Sequence, residues 1–139
     1  MCSLIALAFA GAFFWMRLMR IKKSEHFYAD EFACNCGCGF NNIDSVLVTM
    51  LEFARVEAGT PFTITSGCRC FKHNRAVGGV DSSSHVAGLA VDISVESSRA
   101  RSLVLKGLVS AGFTRIGIHK KFIHVDIDPG KPESVCWMY

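Results

Sequence analysis

Nine consecutive residues, Ser84-His85-Val86-Ala87-Gly88-Leu89-Ala90-Val91-Asp92, constrain the fold more than any other stretch of the chain. They hold a histidine and an aspartate too far apart for one turn of helix. The spacing fits a loop that carries His85, a tight bend at Gly88, and a strand that carries Asp92. A second stretch, Phe122-Ile123-His124-Val125-Asp126-Ile127, alternates apolar and polar residues. It reads as a strand with His124 and Asp126 on one face. If the two strands are neighbours, His85, Asp92 and His124 converge. Two imidazoles and a carboxylate make up three of the four ligands of a catalytic zinc, with one position left for water. As bare spacing, such a trio is common in any chain with five histidines.

The full string is more specific. S-x-H-x-x-G-x-A-x-D followed by H-V-D resembles the zinc DD-peptidase family. That family includes D-alanyl-D-alanine carboxypeptidases, vancomycin-resistance dipeptidases, phage L-alanyl-D-glutamate endolysins and, distantly, the hedgehog signalling domain. The likeness runs from Glu25-His26-Phe27 to about Trp137. It is strongest to the short phage-type branch, which opens with H-F-x-x-x-E-F-x-C-x-C-G-C. The resemblance implies a hedgehog/DD-peptidase-like α+β fold, a small antiparallel sheet with helices packed on one side. It implies a zinc ion held by His85, Asp92 and His124, and hydrolysis of a peptidoglycan stem-peptide amide. By the same resemblance, Arg69 of Ser66-Gly67-Cys68-Arg69 binds a substrate carboxylate, a task suited to a guanidinium fork, and Ser84 lies near the substrate.

One part of the family pattern is missing. The dipeptidase and endolysin branches carry an acidic residue three positions before the last ligand, where this chain has Lys121. The carboxypeptidase branch has a histidine two before, where this chain has Phe122. Asp126 and His119 are the nearby candidates for the proton-transfer role, with Asp126 preferred. Asp126 is equally placed to orient His124 from behind.

The length, 139 residues, suits one domain with one core. A net charge of +3 is too small to argue for nucleic acid, and fits a polyanionic wall or membrane surface. Mean hydropathy is positive at +0.31, and much of the apolar excess lies in residues 2–16, ahead of Arg17, Arg20, Lys22 and Lys23. With Leu18, Met19 and Ile21 the run nears the length that spans a bilayer. No basic n-region or A-x-A site marks it as a signal peptide. The trailing basic cluster would hold the C-terminal domain on the cytoplasmic side. A membrane anchor, an atypical signal and an unrelated extension remain open, the anchor being preferred. The expected organisation is a hydrophobic segment at 1–22 and a peptidase-like domain at 23–139. The expected location is the membrane or cell envelope, or the cytoplasm until release at lysis. The expected partner is a peptidoglycan peptide, met by a monomer that associates with membrane through residues 1–22.

Of seven cysteines, five fall in the groups Cys34-x-Cys36-x-Cys38 and Cys68-x-Cys70. The odd total and close spacing argue against a simple secreted disulfide framework. A structural thiolate zinc site on Cys34, Cys36, Cys38, Cys68 and Cys70, cross-group disulfides, and free thiols stand as equal alternatives.

Elsewhere, Ile43 to Ala58 reads as a helix capped by Asn42 or Asp44, ended by Gly59 and Pro61, with Val46, Leu47, Met50, Leu51 and Ala54 as its buried stripe. Phe62 to Thr65 is a short strand. Phe71 to Val80 holds a turn or short helix; its His73 and the earlier His26 read as structural. Leu89 to Val95 is the central strand. Arg99 to Ser110 is a second helix capped by Ser97 or Ser98. It has Leu103, Val104, Leu108 and Val109 inside and Arg99, Arg101 and Lys106 in water. Arg115–Ile118 and Phe122–Asp128 form a hairpin, and Pro129-Gly130-Lys131-Pro132 closes the domain. Besides a peptidase, two other function classes fit: a catalytically silent zinc-dependent wall-binding module, and a membrane-anchored thiol–metal protein.

Overall fold

The computed structural model describes residues 20–139. The apolar run at 2–16, and with it the anchor reading, lies outside these residues. Among the described residues no helix is long and apolar enough to cross a membrane.

Three helices and five strands make up the domain: α1 (Ser45–Ala58), β1 (Ile64–Ser66), α2 (Phe71–Ala76), β2 (Ala90–Ser94), α3 (Ser98–Ser110), β3 (Arg115–Ile118), β4 (Phe122–Asp126) and β5 (Val135–Met138). The sheet order is β1-β2-β4-β3-β5. The first four strands are antiparallel, as expected, and β5 adds to β3 in parallel. The sheet is therefore mixed. The domain, expected to close at Pro129-Gly130-Lys131-Pro132, instead continues past that turn into this fifth strand.

Helix ends obey local chemistry. The Asp44 carboxylate accepts from the Val46 and Leu47 amides, and Gly59 ends α1 in the left-handed conformation. The Ser97 hydroxyl accepts from the Ala100 amide at the start of α3. One sheet face packs against α1 and α3. Leu47, Val48, Leu51, Ala54 and Ala58 of α1 meet Val104 and Leu108 of α3 and Val91, Ile93, Ile116, Ile123 and Val125 of the strands. The helices approach closely at Gly107, where a Cβ would lie 2.1 Å from the Ala54 carbonyl oxygen.

Two residues of the expected helix stripes face outward. Val46 is 57% exposed and Val109 is 63% exposed. On α1 the stripe is rotated toward Val48 and Ala58, because the helix must meet α3 as well as the sheet. Arg101 is half-buried and donates to the Lys120 carbonyl.

At the N-terminal end, Arg20 pairs with Asp30 and Glu31, and Lys22 bridges Tyr28. His26 is held structurally: its Nδ1 meets the Glu52 carboxylate, and its amide donates to the same group.

Candidate active site

The strand register brings the site together. Asp92 on β2 stands opposite His124 on β4, His124 opposite Gly117 on β3, and Gly117 opposite Trp137 on β5. Ser66 of β1 joins this row opposite Asp92. A register shift between Ile64 and Ser66 allows it, since Ile64 pairs with the core-facing Ile93. A bulge at this point re-aims the strand toward the site. Because side chains alternate along each strand, these residues occupy the face away from the helices.

His85 arrives from the loop before β2. Its Nδ1 lies 2.7 Å from the Gly67 carbonyl, which fixes the proton there and turns Nε2 inward. Gly88 makes the bend with φ +74°. A Cβ at this position would lie 2.2 Å from the Asn42 carbonyl oxygen, so the motif glycine serves both conformation and close packing.

Three donor atoms converge: His85 Nε2, Asp92 Oδ1 and His124 Nδ1. Their separations are 2.9 Å (His124 to Asp92), 3.2 Å (His85 to His124) and 3.3 Å (His85 to Asp92). Ligands about 2.0–2.2 Å from one tetrahedral zinc stand roughly 3.3–3.6 Å apart. The His85–Asp92 separation meets the lower edge of that range and the other two fall slightly short of it, so an ion seated between the donors would move them only a few tenths of an ångström apart. Their nature, two neutral-capable imidazoles and a carboxylate, also suits zinc. The donor set therefore fits the ion that the sequence pattern calls for.

Behind the donors lies a supporting shell. His124 Nε2 donates to Asp126 Oδ2 at 3.1 Å, which frees Nδ1 for the centre. Asp126 Oδ1 accepts from Arg115 Nε at 2.7 Å and from the Asp128 amide at 3.2 Å. Arg115 also donates to the Pro132 carbonyl. Asp92 Oδ2 accepts from Arg69 Nη2 at 2.9 Å, and Arg69 Nε donates to Ser66 at 3.0 Å. Ser84 donates to Asp128 Oδ2 at 2.8 Å and accepts from Lys131 at 2.7 Å.

Burial alone would raise the Asp92 pKa, but hydrogen bonds from His124 and His85 hold it well below the usual carboxylate range. Asp126 is likewise buried, yet His124 and Arg115 keep it down at about 2. Burial opposes a charge on His124, and the bonds to Asp126 and Asp92 outweigh it, so its pKa is raised. The electrostatics of the site thus favour a positive charge at its centre.

A cleft of about 380 Å³ opens over the donors. The 77–80 loop, Trp137 and Tyr139 line it, together with the cationic side chains of Arg69, Arg115 and Lys131. The Trp137 indole covers Gly117, where a Cβ would lie 2.6 Å from the ring, and its centroid is 5.6 Å from that of His124.

The structure thus brings together His85, Asp92, His124, Asp126, Arg69 and Ser84. It leaves His119 apart. That ring stacks on Phe122 at 4.5 Å and faces Tyr139, and it lines a neighbouring cleft with Lys120 and Met138. Sequence reasoning passed over Arg115, Asp128 and Lys131. The available signal was a lone arginine at an inward position of an otherwise apolar strand.

No curated protein matches the chain. The family model described as Peptidase M15 matches residues 25–126, well over half of the sequence. The matched span holds all three donors and Asp126. On that match, the chain belongs to the M15 family of zinc DD-peptidases.

Proposed function

We propose that the protein is a zinc peptidase that hydrolyses an amide bond within peptidoglycan stem peptides. The observation that carries this reading is the inward-facing set of His85 Nε2, Asp92 Oδ1 and His124 Nδ1 at the floor of an open, cation-rimmed cleft. Bound there, zinc supplies Lewis acidity, polarising a scissile carbonyl and making water nucleophilic at neutral pH.

The chain's own residues have distinct parts. Gly67 and Asp126 hold the imidazole protons of His85 and His124 away from the centre, keeping both inward nitrogens as lone-pair donors. Arg69 braces Asp92 and stands at the cleft wall, where a substrate carboxylate would meet it. Lys131, partly exposed at the cleft, adds a cation that suits a carboxylate-bearing peptide, while Arg115 is taken up by Asp126. Trp137 and Tyr139 offer an apolar wall that shields one side of the cleft from water.

Asp126 is a positioning residue in this scheme. Both of its oxygens are engaged, one by His124 and one by Arg115. That engagement also favours a second reading, a zinc-dependent wall-binding module that does not cut, because neither cleft carboxylate, Asp92 nor Asp126, is free of a cationic partner.

One experiment separates the two. Zinc content is measured for the full chain and for His85→Ala, and both are incubated with purified peptidoglycan, with released amines and peptides read by mass. Loss of about one equivalent of zinc together with cleavage in the variant is the expected result, and fragment masses name the bond. Zinc lost from the variant, with no cleavage by either protein, selects the binding module. Zinc content unchanged by His85→Ala would overturn both.

A further inference from the structure

A second group of donors lies away from the cleft floor. The Sγ atoms of Cys34, Cys36, Cys38 and Cys70 all lie within 4.8 Å of one another. Cys34 and Cys36 are 3.4 Å apart, and Cys36 and Cys70 are 3.7 Å apart. A disulfide would require about 2.05 Å between sulfurs. Four thiolates about 2.3 Å from one tetrahedral zinc stand roughly 3.8 Å from each other. The observed spacings lie near the second geometry and far from the first.

Backbone conformation and hydrogen bonding converge on the same point. The loop from Cys34 to Phe40 is closed by the Cys34 amide donating to the Phe40 carbonyl at 2.8 Å. Inside it, Gly37 and Gly39 both take φ +78°, which curls Cys36 and Cys38 back toward Cys34. Sulfur atoms also receive backbone N–H groups. The Cys70 amide donates to Cys34 Sγ and the His73 amide to Cys70 Sγ, both at 3.4 Å. Such bonds stabilise sulfur in its anionic, metal-ligating form. Cys68, the fifth cysteine of the two groups, is separate: it is buried in the core with its Sγ toward Asn41.

We propose that Cys34, Cys36, Cys38 and Cys70 form a structural zinc site that clamps the 34–40 loop to the start of α2. Four sulfur donors without an open position suit a structural ion of the soft, tetrahedral kind. Cys70 directly follows Arg69, so the clamp also fixes the segment that braces Asp92. This inference does not depend on the peptidase reading.

The test uses the full chain, purified under reducing conditions, with zinc and cobalt as probes. The parent should hold about one equivalent of zinc that survives His85→Ala and is lost in Cys36→Ser/Cys38→Ser, a change confined to two exposed side chains. Loaded with cobalt, the parent and His85→Ala should show sulfur-to-cobalt charge-transfer absorption, and the double-serine variant should not. Cys136→Ser, at an exposed cysteine outside the cluster, should behave as the parent. Titration of the parent with a mercurial should release about one equivalent of zinc, which gives an answer even if the double-serine variant does not fold. No sulfur-to-cobalt band in the reduced parent, or no zinc released by the mercurial, would overturn the site. Disulfides among these four cysteines in the purified protein would do so too. Failure of the peptidase reading would instead appear as zinc content insensitive to His85→Ala, with the cobalt–sulfur band intact.

Discussion

On β2, Val91 and Ile93 face the helices while Asp92 faces the cleft; on β4, Ile123 and Val125 alternate with His124 and Asp126 in the same way. Both faces are buried, and they are buried for different reasons. The helix-side face excludes water by packing and has no polar side chain to satisfy. The cleft-side face buries Asp92, His124, Asp126 and Arg115 nearly as deeply, and each is matched by an oppositely charged or hydrogen-bonding neighbour. Buried charge is costly unless so paired. A strand period of two lets neighbouring residues serve stability on one side and chemistry on the other. Substitutions on the two sides should therefore separate folding from function.

The largest effect is expected on the cleft side. His85→Ala should abolish metal binding at this centre. If the zinc contributes several kcal/mol to the transition state, hydrolysis should fall by at least about 10³-fold, with the circular dichroism spectrum retained. Loss of secondary structure in that variant would mean the two faces are not separable. Next comes the helix side. Ile93→Ala should lower unfolding free energy by about 2–5 kcal/mol, read from the urea midpoint, with activity per folded molecule unchanged. A large drop in turnover of the folded fraction would break the contrast.

Asp126→Asn probes the support behind the cleft face. Its expected effect is a zinc affinity about 10–100-fold weaker, measured by competition with a chelator. Unchanged affinity with lost turnover would instead make Asp126 the proton acceptor. At the rim of the core, burial would raise the Glu52 pKa, but its bonds from Ser24 and His26 outweigh that and lower it from 4.5. A lowered folded-state pKa adds stability above the unfolded value, and that contribution is lost as pH falls through the folded one. Stability should accordingly decline below about pH 4.5, and Glu52→Gln should flatten that acid limb. The smallest effect is expected at Val46. Its outward position predicts that Val46→Ala changes stability by no more than about 0.5 kcal/mol; a loss comparable to that of Ile93→Ala would put it back in the core.

The centre of this arrangement was legible in the chain because motif and periodicity coincide there. His85, the bend at Gly88, and the alternating strands around Asp92 and His124 carry their geometry in local spacing. The β3–β4 hairpin was equally readable, and each helix cap was narrowed to two nearby candidates, of which the structure selects Asp44 and Ser97. Strand β5 was not. Val135–Met138 is short and comes after a Pro-Gly-Lys-Pro turn, and a parallel pairing gives no hairpin signal. Without β5, the wall formed by Trp137 and Tyr139 is invisible. The helix stripes were read in a slightly wrong phase because each helix packs on two neighbours, which widens and rotates its buried face. The Arg115–Asp126 pair joins strands that are adjacent in sequence; alternation sets the arginine on the face opposite Ile116 and Ile118, but nothing local says that this face is buried or that Asp126 meets it there. The cysteines were undecidable for a different reason: spacing along the chain cannot distinguish sulfurs at bonding distance from sulfurs around an ion.

The register pair Asp92–His124 joins β2 to β4, strands separated in sequence by α3 and β3. No local segment contains all three donors, so they meet only after this long-range strand pairing has formed. An unfolded or partly zipped chain then has little affinity for an ion at this centre. A ligand that binds only the native state adds stability by mass action, about 2.7 kcal/mol when its free concentration is a hundred times Kd. For a domain of this size that is a sizeable part of the whole. Metal supply would therefore set how long the chain survives proteases, independently of how fast it turns over substrate.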